Sequence, residues 1–396
     1  MNFRLALLAL CQGLFLTNNV VFIAINGLVG LALAPQAWMA TLPVTGYVAG
    51  GALFAPWVAK HQRQLGRQRG FQVGLLVAIC ACALAAYAVS TKQFWLLVLA
   101  TVIAGYYNAN AGLYRFAAVE LVSPQYKEKA ISWVLAGGIM GAVAGPKLAA
   151  SLKDAMAQPF AAAYLALIGV AILSLIVMNF IQFAPLHEPG NATNTGRPLR
   201  ELARQPQFVV AILACALGYG VMNLLMAATP IAMAQCSHPF ANAAWVLEWH
   251  VLGMFVPSFF TGTIIKRVGA LPVMAVGVLL NLVCVGFALA GIDLMHFTLA
   301  LLALGVGWNF LFIGGTTLFT ECYRPEERTT AQASMDTIIY LTMTLTSFSS
   351  GALVTTGGWQ AMNWGSLLPI AITALALGWL AAKRRQSSRL DVIASP

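Results

Sequence analysis

Long apolar runs fill almost the whole of this chain, and only short polar segments separate them. A helix needs about 20 apolar residues to cross a lipid bilayer, and each run is close to that length or longer. The runs lie at residues 5–33, 38–59, 71–90, 94–119, 128–152, 160–183, 207–234, 241–264, 270–290, 294–320, 329–355 and 361–382. The sequence therefore predicts an all-α membrane protein with twelve spans.

The composition supports the same class of protein. Hydrophobic residues make up 60% of the chain and charged residues only 9%, against about 25% charged residues in a typical soluble domain. So few charges cannot cover a water-exposed surface, which excludes soluble enzymes, disordered proteins and nucleic-acid-binding modules. The seven cysteines include no Cys-x-x-Cys pair, so we expect neither a disulfide framework nor a metal site.

A longer polar segment at 184–206 interrupts the series after the sixth run. It holds four prolines and several charged residues, a composition typical of a linker. We therefore predict an N-terminal six-helix bundle at 1–183, a cytoplasmic linker at 184–206 and a C-terminal six-helix bundle at 207–396.

The basic residues are distributed very unevenly between the two sides of these spans. Of the 22 lysines and arginines, 18 fall on the side that carries the termini and the linker. They are Arg4, Lys60, Arg63, Arg67, Arg69, Lys127, Lys129, Arg197, Arg200, Arg204, Lys266, Arg267, Arg324, Arg328, Lys383, Arg384, Arg385 and Arg389. Cytoplasmic loops are the positively charged ones, so we expect both termini in the cytoplasm and the spans in a bacterial inner membrane. Topology thus explains the net charge of +10, and no nucleic-acid partner is expected.

The two halves of the chain repeat each other at a nearly constant offset of 201 residues. The matching pairs are Pro56 and Pro257, Asn108 and Asn309, Glu120 and Glu321, Pro124 and Pro325, Lys127 and Arg328, and Ala130 and Ala331. An aromatic residue precedes each asparagine of the repeat, Tyr107 in one half and Trp308 in the other. Self-similarity of whole halves indicates duplication of a six-span unit, an organisation that some secondary transporters have.

Basic loops lie at 60–69 and 262–269, at corresponding places of the two halves. They resemble the Gly-x-x-x-Asp-Arg-x-Gly-Arg motif of the major facilitator superfamily (MFS) of transporters, with Arg63 and Lys266 at the position of its Asp. Glu-x-x-x-Pro-x-x-Lys/Arg follows spans 4 and 10. The resemblance implies gating elements at the cytoplasmic side, where the two glutamates would pair with the basic loops. The expected gating residues are Arg63, Arg67, Arg115, Glu120, Lys266, Arg267 and Glu321.

Span 5 carries a third motif, because the segment from Gly141 to Pro146 is similar to the Gly-x-x-x-Gly-Pro motif of drug/proton antiporters. Together the three motifs cover both halves of the chain. The resemblance implies the MFS fold, two six-helix bundles related by pseudo-twofold symmetry, with spans 1, 4, 7 and 10 around a substrate cavity.

Polar residues are shared unevenly among the spans, since spans 3, 6, 9 and 12 contain almost none. Lipid cannot satisfy polar side chains, so we expect the other spans to surround a polar path. The candidate cavity residues are Asn18, Asn19, Tyr107, Asn108, Met222, Asn223, Met226, Trp308 and Asn309. The two aromatic–asparagine pairs suit a flat organic molecule that stacks and forms hydrogen bonds. Plain helix packing is the alternative for the pairs and for the methionines.

Very few ionisable residues lie inside the spans, and each of them is a functional candidate. Glu248 and His250 are in span 8, within reach of Lys147 at the outer end of span 5. They suit proton coupling or recognition of substrate charge, whereas a structural pair of Glu248 with Lys147 is the alternative. Asp336 lies about two turns into span 11, where it suits proton coupling, a gating salt bridge with Arg115 or a local pair.

These features predict a secondary transporter that works by alternating access, without cofactor or metal and without catalytic residues. Export of a small organic solute by proton antiport is the leading hypothesis. The alternative is proton-coupled import of a small organic nutrient, such as a vitamin or a siderophore-like metabolite. A non-transporting membrane sensor is a hypothesis of another class, and an intramembrane enzyme lacks a recognisable set of catalytic groups. The expected partners are the substrate, protons and the lipid bilayer, and we expect a monomer.

Overall fold

A computed structural model of the protein describes residues 3–123, 126–183, 196–324 and 327–394, and the secondary structure in these segments is helical, without strands. Span 1 is Phe3–Leu33, span 2 Leu42–Leu65, span 3 Arg67–Ser90, span 4 Phe94–Ala111 with Tyr114–Glu120, span 5 Lys127–Ser151 and span 6 Ala161–Asn179. Span 7 is Pro206–Gln235, span 8 Phe240–Phe255 with Ser258–Val268, span 9 Ala270–Ala290, span 10 Leu294–Thr320, span 11 Arg328–Thr356 and span 12 Gly358–Ala394. Short helices at Ala37–Met39 and Leu199–Leu202 complete the described part.

The helices of the described segments agree with the twelve runs of the sequence. Eleven of them are long and apolar enough to cross a membrane, and the two parts of span 8, bent by 41°, make a twelfth crossing. Pro124, Pro325 and residues 184–195 of the predicted linker lie outside the described residues. The side chains of Lys127, Lys129, Arg328 and Arg389 lie outside them as well.

The start of span 1 and the segments that flank the linker lie at one end of the helical bundle. Arg4 at the start of span 1 donates a hydrogen bond to Gln182 after span 6, with 3.0 Å between Nη2 and Oε1. Gln205 before span 7 donates to the carbonyl of Cys322 after span 10, at 3.1 Å. We call this end, where the basic loops lie, the basic end of the bundle.

Glycines let the helices of each half approach backbone to backbone. A Cβ on Gly105 in span 4 would collide with the backbone of Gly50 in span 2. A Cβ on Gly141 in span 5 would lie 2.5 Å from the amide nitrogen of Thr17 in span 1. Helices in lipid associate through such close packing because lipid supplies little hydrophobic force between them. Spans 1 and 7 end up as the most enclosed helices, with 78% of their most apolar stretch buried.

The repeat of the sequence reappears in the backbone. Spans 3 and 9 each begin after a glycine of left-handed conformation, with φ +79° at Gly66 and φ +90° at Gly269. That region is one that residues with a Cβ rarely occupy. The two halves therefore share the turn within each basic loop, as expected for two bundles related by pseudo-twofold symmetry.

The repeated prolines have different consequences in the two halves. Span 2 continues through Pro56, whereas span 8 breaks next to Pro257. Proline has no N–H to continue a helix, so its neighbours lose hydrogen bonds. Asn309 of span 10 fills this gap: its amide nitrogen lies 2.7 Å from both the Met254 carbonyl and the Ser258 hydroxyl, and its oxygen accepts from Thr261 at 2.8 Å. One amide side chain thus stabilises both parts of the broken span.

Replacing Gly105 by alanine is expected to lower the midpoint of thermal unfolding in detergent, because the added Cβ forces spans 2 and 4 apart. Overpacking a filled interior costs about 1–3 kcal/mol. The matched control is Gly169→Ala in span 6, where a Cβ meets no atom within 4 Å and helix propensity improves by about 1 kcal/mol. Unfolding of the Gly105→Ala protein at or above the temperature of the wild type would contradict this close approach.

Candidate functional site

Four aromatic rings from spans 7, 8 and 10 form a cluster, which we call the aromatic cluster. Trp308 and Phe312 are stacked with an interplanar angle of 11° and 5.2 Å between ring centroids. Tyr219 meets these two rings edge to face, at 5.0 and 5.1 Å, and Phe255 lies 6.3 Å from Trp308. Tyr219, Phe255 and Phe312 are only half-buried, so part of the cluster remains accessible to a flat ligand.

The aromatic cluster lies beside the interface between the two halves. Phe255 packs against a small apolar group that includes Leu16 and Val20 of the N-terminal half. A depression along the same span 10 is lined by Phe312, Ile313, Thr316, Thr317 and Thr320. Thr320 is the last residue of the span, so the depression connects the cluster with the basic end of the bundle.

Opposite charges from the two halves face this region. Arg115 of span 4 and Asp336 of span 11 are both within electrostatic range of the Tyr219 hydroxyl, and Tyr340 is within range of both charges. The Arg115 guanidinium lies 4.7 Å above the ring of Phe116, and its buried Nε has no partner among the described residues. A buried donor without a partner is rare in folded proteins, which makes Arg115 a candidate for contact with a ligand.

The N-terminal half contributes a second polar surface, formed by Asn19, Tyr47 and Asn108. The amide nitrogen of Asn19 lies 3.2 Å from the Tyr47 hydroxyl and 3.5 Å from the amide oxygen of Asn108. A Cβ placed on Gly51 would lie 3.2 Å from the Asn108 amide nitrogen and 3.5 Å from the Tyr340 ring. Asn108 therefore lies close to the C-terminal half, with Asn19 beside it, and we call these two residues the amide pair.

Several other candidates for the cavity lie within a single half. Tyr107 is buried and meets the edge of Phe15 at 5.4 Å. Asn18 donates to the Cys82 sulfur at 3.8 Å, and Asn223 donates to the Met343 carbonyl at 2.9 Å. Asn309 bonds within the C-terminal half, and the remaining candidates, Met222 and Met226, are buried. The side chains of Tyr107, Asn18, Asn223 and Asn309 thus contact neighbours within their own half.

Glu248 and His250 have separate surroundings, although they are two residues apart. The Glu248 carboxylate is 3.7 Å from the Lys147 ammonium, which joins span 8 to span 5 of the other half. His250 is fully buried between spans 8 and 10, with Nδ1 2.7 Å from the Leu301 carbonyl. Its Nε2 has no partner in the part of the chain that the structure describes. The geometry thus joins Glu248, and not His250, to the interface between the halves.

Further contacts between the halves lie at the same end as the Lys147–Glu248 pair, away from the basic end. The Thr41 hydroxyl before span 2 donates to the Ser347 carbonyl of span 11 at 2.7 Å and accepts from the Gly351 amide at 3.0 Å. Phe160 and Phe240 of opposite halves meet edge to face at 4.8 Å. Polar and aromatic contacts thus hold the two halves together at this end.

At the basic end, each expected gating glutamate is paired within its own half. Glu120 accepts two hydrogen bonds from Arg67, at 2.8 and 3.0 Å, as its position beside the first basic loop suggested. Glu321 lies 3.5 Å from Arg384 instead of the second basic loop. The long helix of span 12 carries Arg384 past the end of span 10, which explains this partner. The loop residues Arg63, Lys266 and Arg267 are exposed.

Sequence reasoning missed the most enclosed ion pair at the basic end. Glu327, between spans 10 and 11, accepts hydrogen bonds from the Arg197 backbone at 2.9 Å and from two guanidinium nitrogens of Arg197 at 2.8 Å. It also accepts from the Arg324 amide at 2.9 Å. The Glu327 side chain is only 1% exposed. In the sequence Arg197 is one basic residue among many, and no motif near it indicates that Glu327 is its partner.

The Arg197–Glu327 pair should persist over the physiological pH range. Hydrogen bonds from Arg197, and then from the Arg324 amide, hold the pKa of Glu327 far below its usual range, although burial opposes this. An unfolded glutamate titrates at about pH 4.3. The stabilisation is therefore complete above that pH and is lost only as the pH falls through the lower folded value.

We therefore expect Glu327→Gln to lower the thermal midpoint by the same amount at about pH 5 and at about pH 8. The measurement is thermal unfolding of the purified protein across this range. Glu321→Gln, which breaks an exposed pair, is the control and should change the midpoint little. A difference between wild type and Glu327→Gln that shrinks steadily from pH 8 to pH 5 would contradict the depressed pKa.

Comparison with known proteins agrees with this architecture. The sequence profile of the Major Facilitator Superfamily matches residues 5–247 and 211–394. The riboflavin transporter RfnT of Brucella anthropi is 37% identical over 376 residues, which cover 94% of each chain. The uncharacterized MFS-type transporter YdeG of Bacillus subtilis is 26% identical over 86% of this chain and 83% of its own.

Solved structures share the fold at low sequence identity. A variant of the nucleoside transporter NupG superposes with a TM-score of 0.75 at 13% identity, covering 96% of this chain and 99% of its own. A bacterial homologue of the lysosomal transporter Spinster superposes with a TM-score of 0.71 at 16% identity, covering 96% of both chains. The chain belongs to the Major Facilitator Superfamily, and it is a multi-pass membrane transporter of a small molecule, not an enzyme.

Proposed function

We propose that this protein imports a flat heteroaromatic vitamin, with riboflavin as the first candidate, across the bacterial inner membrane. The observation that carries the proposal is the half-exposed aromatic cluster, which lies across the interface from the amide pair. The 37% identity to a riboflavin transporter over 94% of both chains supports the same cargo. Both termini and the linker at 184–206 would be cytoplasmic, as the basic residues predict.

The chemistry of a flavin suits these two surfaces. Its ring system is planar and apolar on both faces, and its edges carry hydrogen-bonding groups. The parallel rings of Trp308 and Phe312, with Tyr219 beside them, offer a platform for such a plane. Aromatic pairs contribute about 0.5–1.5 kcal/mol beyond the area that they bury. The unpartnered Nε of Arg115 is a donor for a carbonyl at the edge of the ring.

Import is favoured over our leading hypothesis of export by two considerations. A vitamin is a nutrient, so its uptake is the direction that serves the cell. The motif that favoured export, Gly141 to Pro146, also has a packing role. Cβ atoms at Gly141 and Gly145 would lie 2.5 Å from the Thr17 amide and 3.0 Å from Val20 Cβ, so these glycines let spans 1 and 5 pack closely. The motif therefore does not require an antiporter.

The mechanism that fits these contacts is alternating access between the bundles at 1–183 and 207–396. Thr41, Lys147 and Phe160 join the halves at the end away from the linker, which we assign to the outer side. At the basic end the ion pairs of Glu120 and Glu321 stay within their own halves. This state would open the site to the cytoplasm, and rocking of the bundles would break the outer contacts.

For proton coupling we favour Asp336 over Glu248. Asp336 is half-buried beside Arg115 and Tyr340 at the interface, where its charge can respond to cargo and to the opposite half. Glu248 instead already has a cationic partner in Lys147, which suits an outer gate. His250 is engaged by the Leu301 carbonyl and has no place in this scheme. The protein would act as a monomer, because each chain holds both surfaces.

Counterflow of labelled riboflavin in proteoliposomes tests the cargo. Wild-type protein is expected to exchange riboflavin, and Phe312→Ala should raise the apparent KM about tenfold, because loss of a stacking partner removes about 1.4 kcal/mol. The control is Trp95→Ala, which removes an aromatic side chain that is 61% exposed at the start of span 4 and should leave KM unchanged. Absence of riboflavin exchange by the wild type would show that the cargo is wrong.

An imposed pH gradient tests the coupling. Asp336→Asn should abolish gradient-driven accumulation but retain counterflow, because exchange of cargo needs no net proton movement. Glu248→Gln should keep its dependence on the gradient while altering the rate at which the outer gate opens. If accumulation by Glu248→Gln no longer depends on the gradient while accumulation by Asp336→Asn still does, Glu248 and not Asp336 is the coupling residue. If accumulation by the wild type does not depend on the gradient, proton coupling is wrong.

A further inference from the structure

We propose that the two halves recognise different parts of one cargo molecule: the aromatic cluster of the C-terminal half binds the ring, and the amide pair of the N-terminal half binds a polyhydroxyl side chain. This inference rests on the proposed function, since riboflavin combines a flat ring with a linear polyol. It adds that Asn19 and Asn108 determine specificity for the chain, independently of the ring.

The first argument is the unused hydrogen-bonding capacity of the amide pair. A carboxamide offers two donors and one carbonyl that can accept twice. Asn19 shares its nitrogen between two acceptors at 3.2 and 3.5 Å, distances at or beyond the long end of the usual range. Among the described residues no partner is found for the Asn19 oxygen or the Asn108 nitrogen. Hydroxyl groups both donate and accept, so a polyol can satisfy both of these atoms.

The second argument is the contrast with two asparagines that hold helices together. Asn110 receives a hydrogen bond from Gln62 at 3.3 Å and donates to the Gly70 carbonyl at 2.9 Å, so both ends of its amide are used. Asn223 donates to a carbonyl at 2.9 Å and to a hydroxyl at 3.2 Å. The contact between the half-buried Asn19 and Asn108 is longer, at 3.5 Å. The Asn108 amide is therefore held less firmly by the protein than the amides of Asn110 and Asn223.

The third argument comes from the repeat, in which Asn108 and Asn309 occupy equivalent positions. Asn309 makes three hydrogen bonds of 2.7 to 2.8 Å within its half, while its neighbour Trp308 joins the aromatic cluster. In the other half the roles are exchanged, because Tyr107 is packed in the core and Asn108 faces the interface. The duplicated unit has thus diverged into one half with an aromatic surface and one half with an amide surface.

The fourth argument is the closeness of the two surfaces. Gly51 of span 2 lies between Asn108 and Tyr340, and a Cβ at this position would be 3.2 and 3.5 Å from them. The absence of a side chain at Gly51 thus brings Asn108 close to Tyr340 at the point where the halves face each other. Tyr340 and Tyr219 are within electrostatic range of each other, and Tyr219 contacts Trp308 at 5.0 Å. A ligand that extends from the amide pair past Tyr340 would reach the aromatic cluster and so link the halves.

The test combines truncation of the ligand with replacement of each surface. Riboflavin and lumiflavin, which carries a methyl group instead of the polyol, compete with labelled riboflavin for counterflow in proteoliposomes. For Asn108→Leu we expect the half-inhibitory concentration of riboflavin to rise about tenfold, to the level of lumiflavin, while that of lumiflavin stays constant. Phe312→Ala should instead raise the half-inhibitory concentrations of both ligands by the same factor, because both ligands carry the ring.

Controls make each outcome decisive. Asn281→Leu removes a buried amide of span 9 whose oxygen has no partner among the described residues. This variant should leave the half-inhibitory concentrations of both flavins unchanged. Asn19→Ala gives the same readout if Asn108→Leu does not yield folded protein. If the Asn19 and Asn108 variants raise the half-inhibitory concentrations of both flavins equally, or raise neither, the proposal that the two halves recognise different parts of the cargo is overturned. Failure of the wild type to bind either flavin overturns the proposed function, and the inference with it.

Discussion

The inability of lipid to satisfy polar groups is the constraint on which the rest of this structure depends. Inside a bilayer each unpaired polar side chain or backbone group costs several kcal/mol. The helices therefore turn their amides, hydroxyls and charges toward one another, as Asn309 does when it bridges the break in span 8. Polar groups with spare bonding capacity are costly under the same constraint, and Arg115 and Asn108 at the interface between the halves are two residues that carry such groups.

Much of the fold could be predicted from the sequence, because the exclusion of polar groups from lipid requires long apolar runs in the membrane spans. The apolar runs predicted the helices of the described segments closely, and the repeat predicted two similar bundles. The left-handed glycines at Gly66 and Gly269 begin spans 3 and 9 in the same way. The pairing of Glu120 with Arg67 was also anticipated, because Glu120 ends span 4 and Arg67 lies in the first basic loop at the same side.

The orientation of individual side chains could not be predicted in the same way. Neighbouring residues of a helix point about 100° apart, so Tyr107 and Asn108 cannot both face the interface. Which of them does so depends on the rotation of span 4, and close packing at Gly105 sets that rotation rather than any local motif. The Arg197–Glu327 pair escaped prediction for a related reason, since the two residues are 130 positions apart in the chain.

The account's central claim is that a flat cargo stacks on the aromatic cluster at the interface between the halves. Titration of riboflavin with the purified protein, followed by flavin fluorescence, tests this most directly, since stacking against aromatic side chains quenches that fluorescence. The account predicts saturable quenching with one site per chain, which disappears when Tyr219 and Phe312 are both replaced by alanine in a protein that remains folded. Unchanged fluorescence with the wild type, or equal quenching by the double variant, would contradict it.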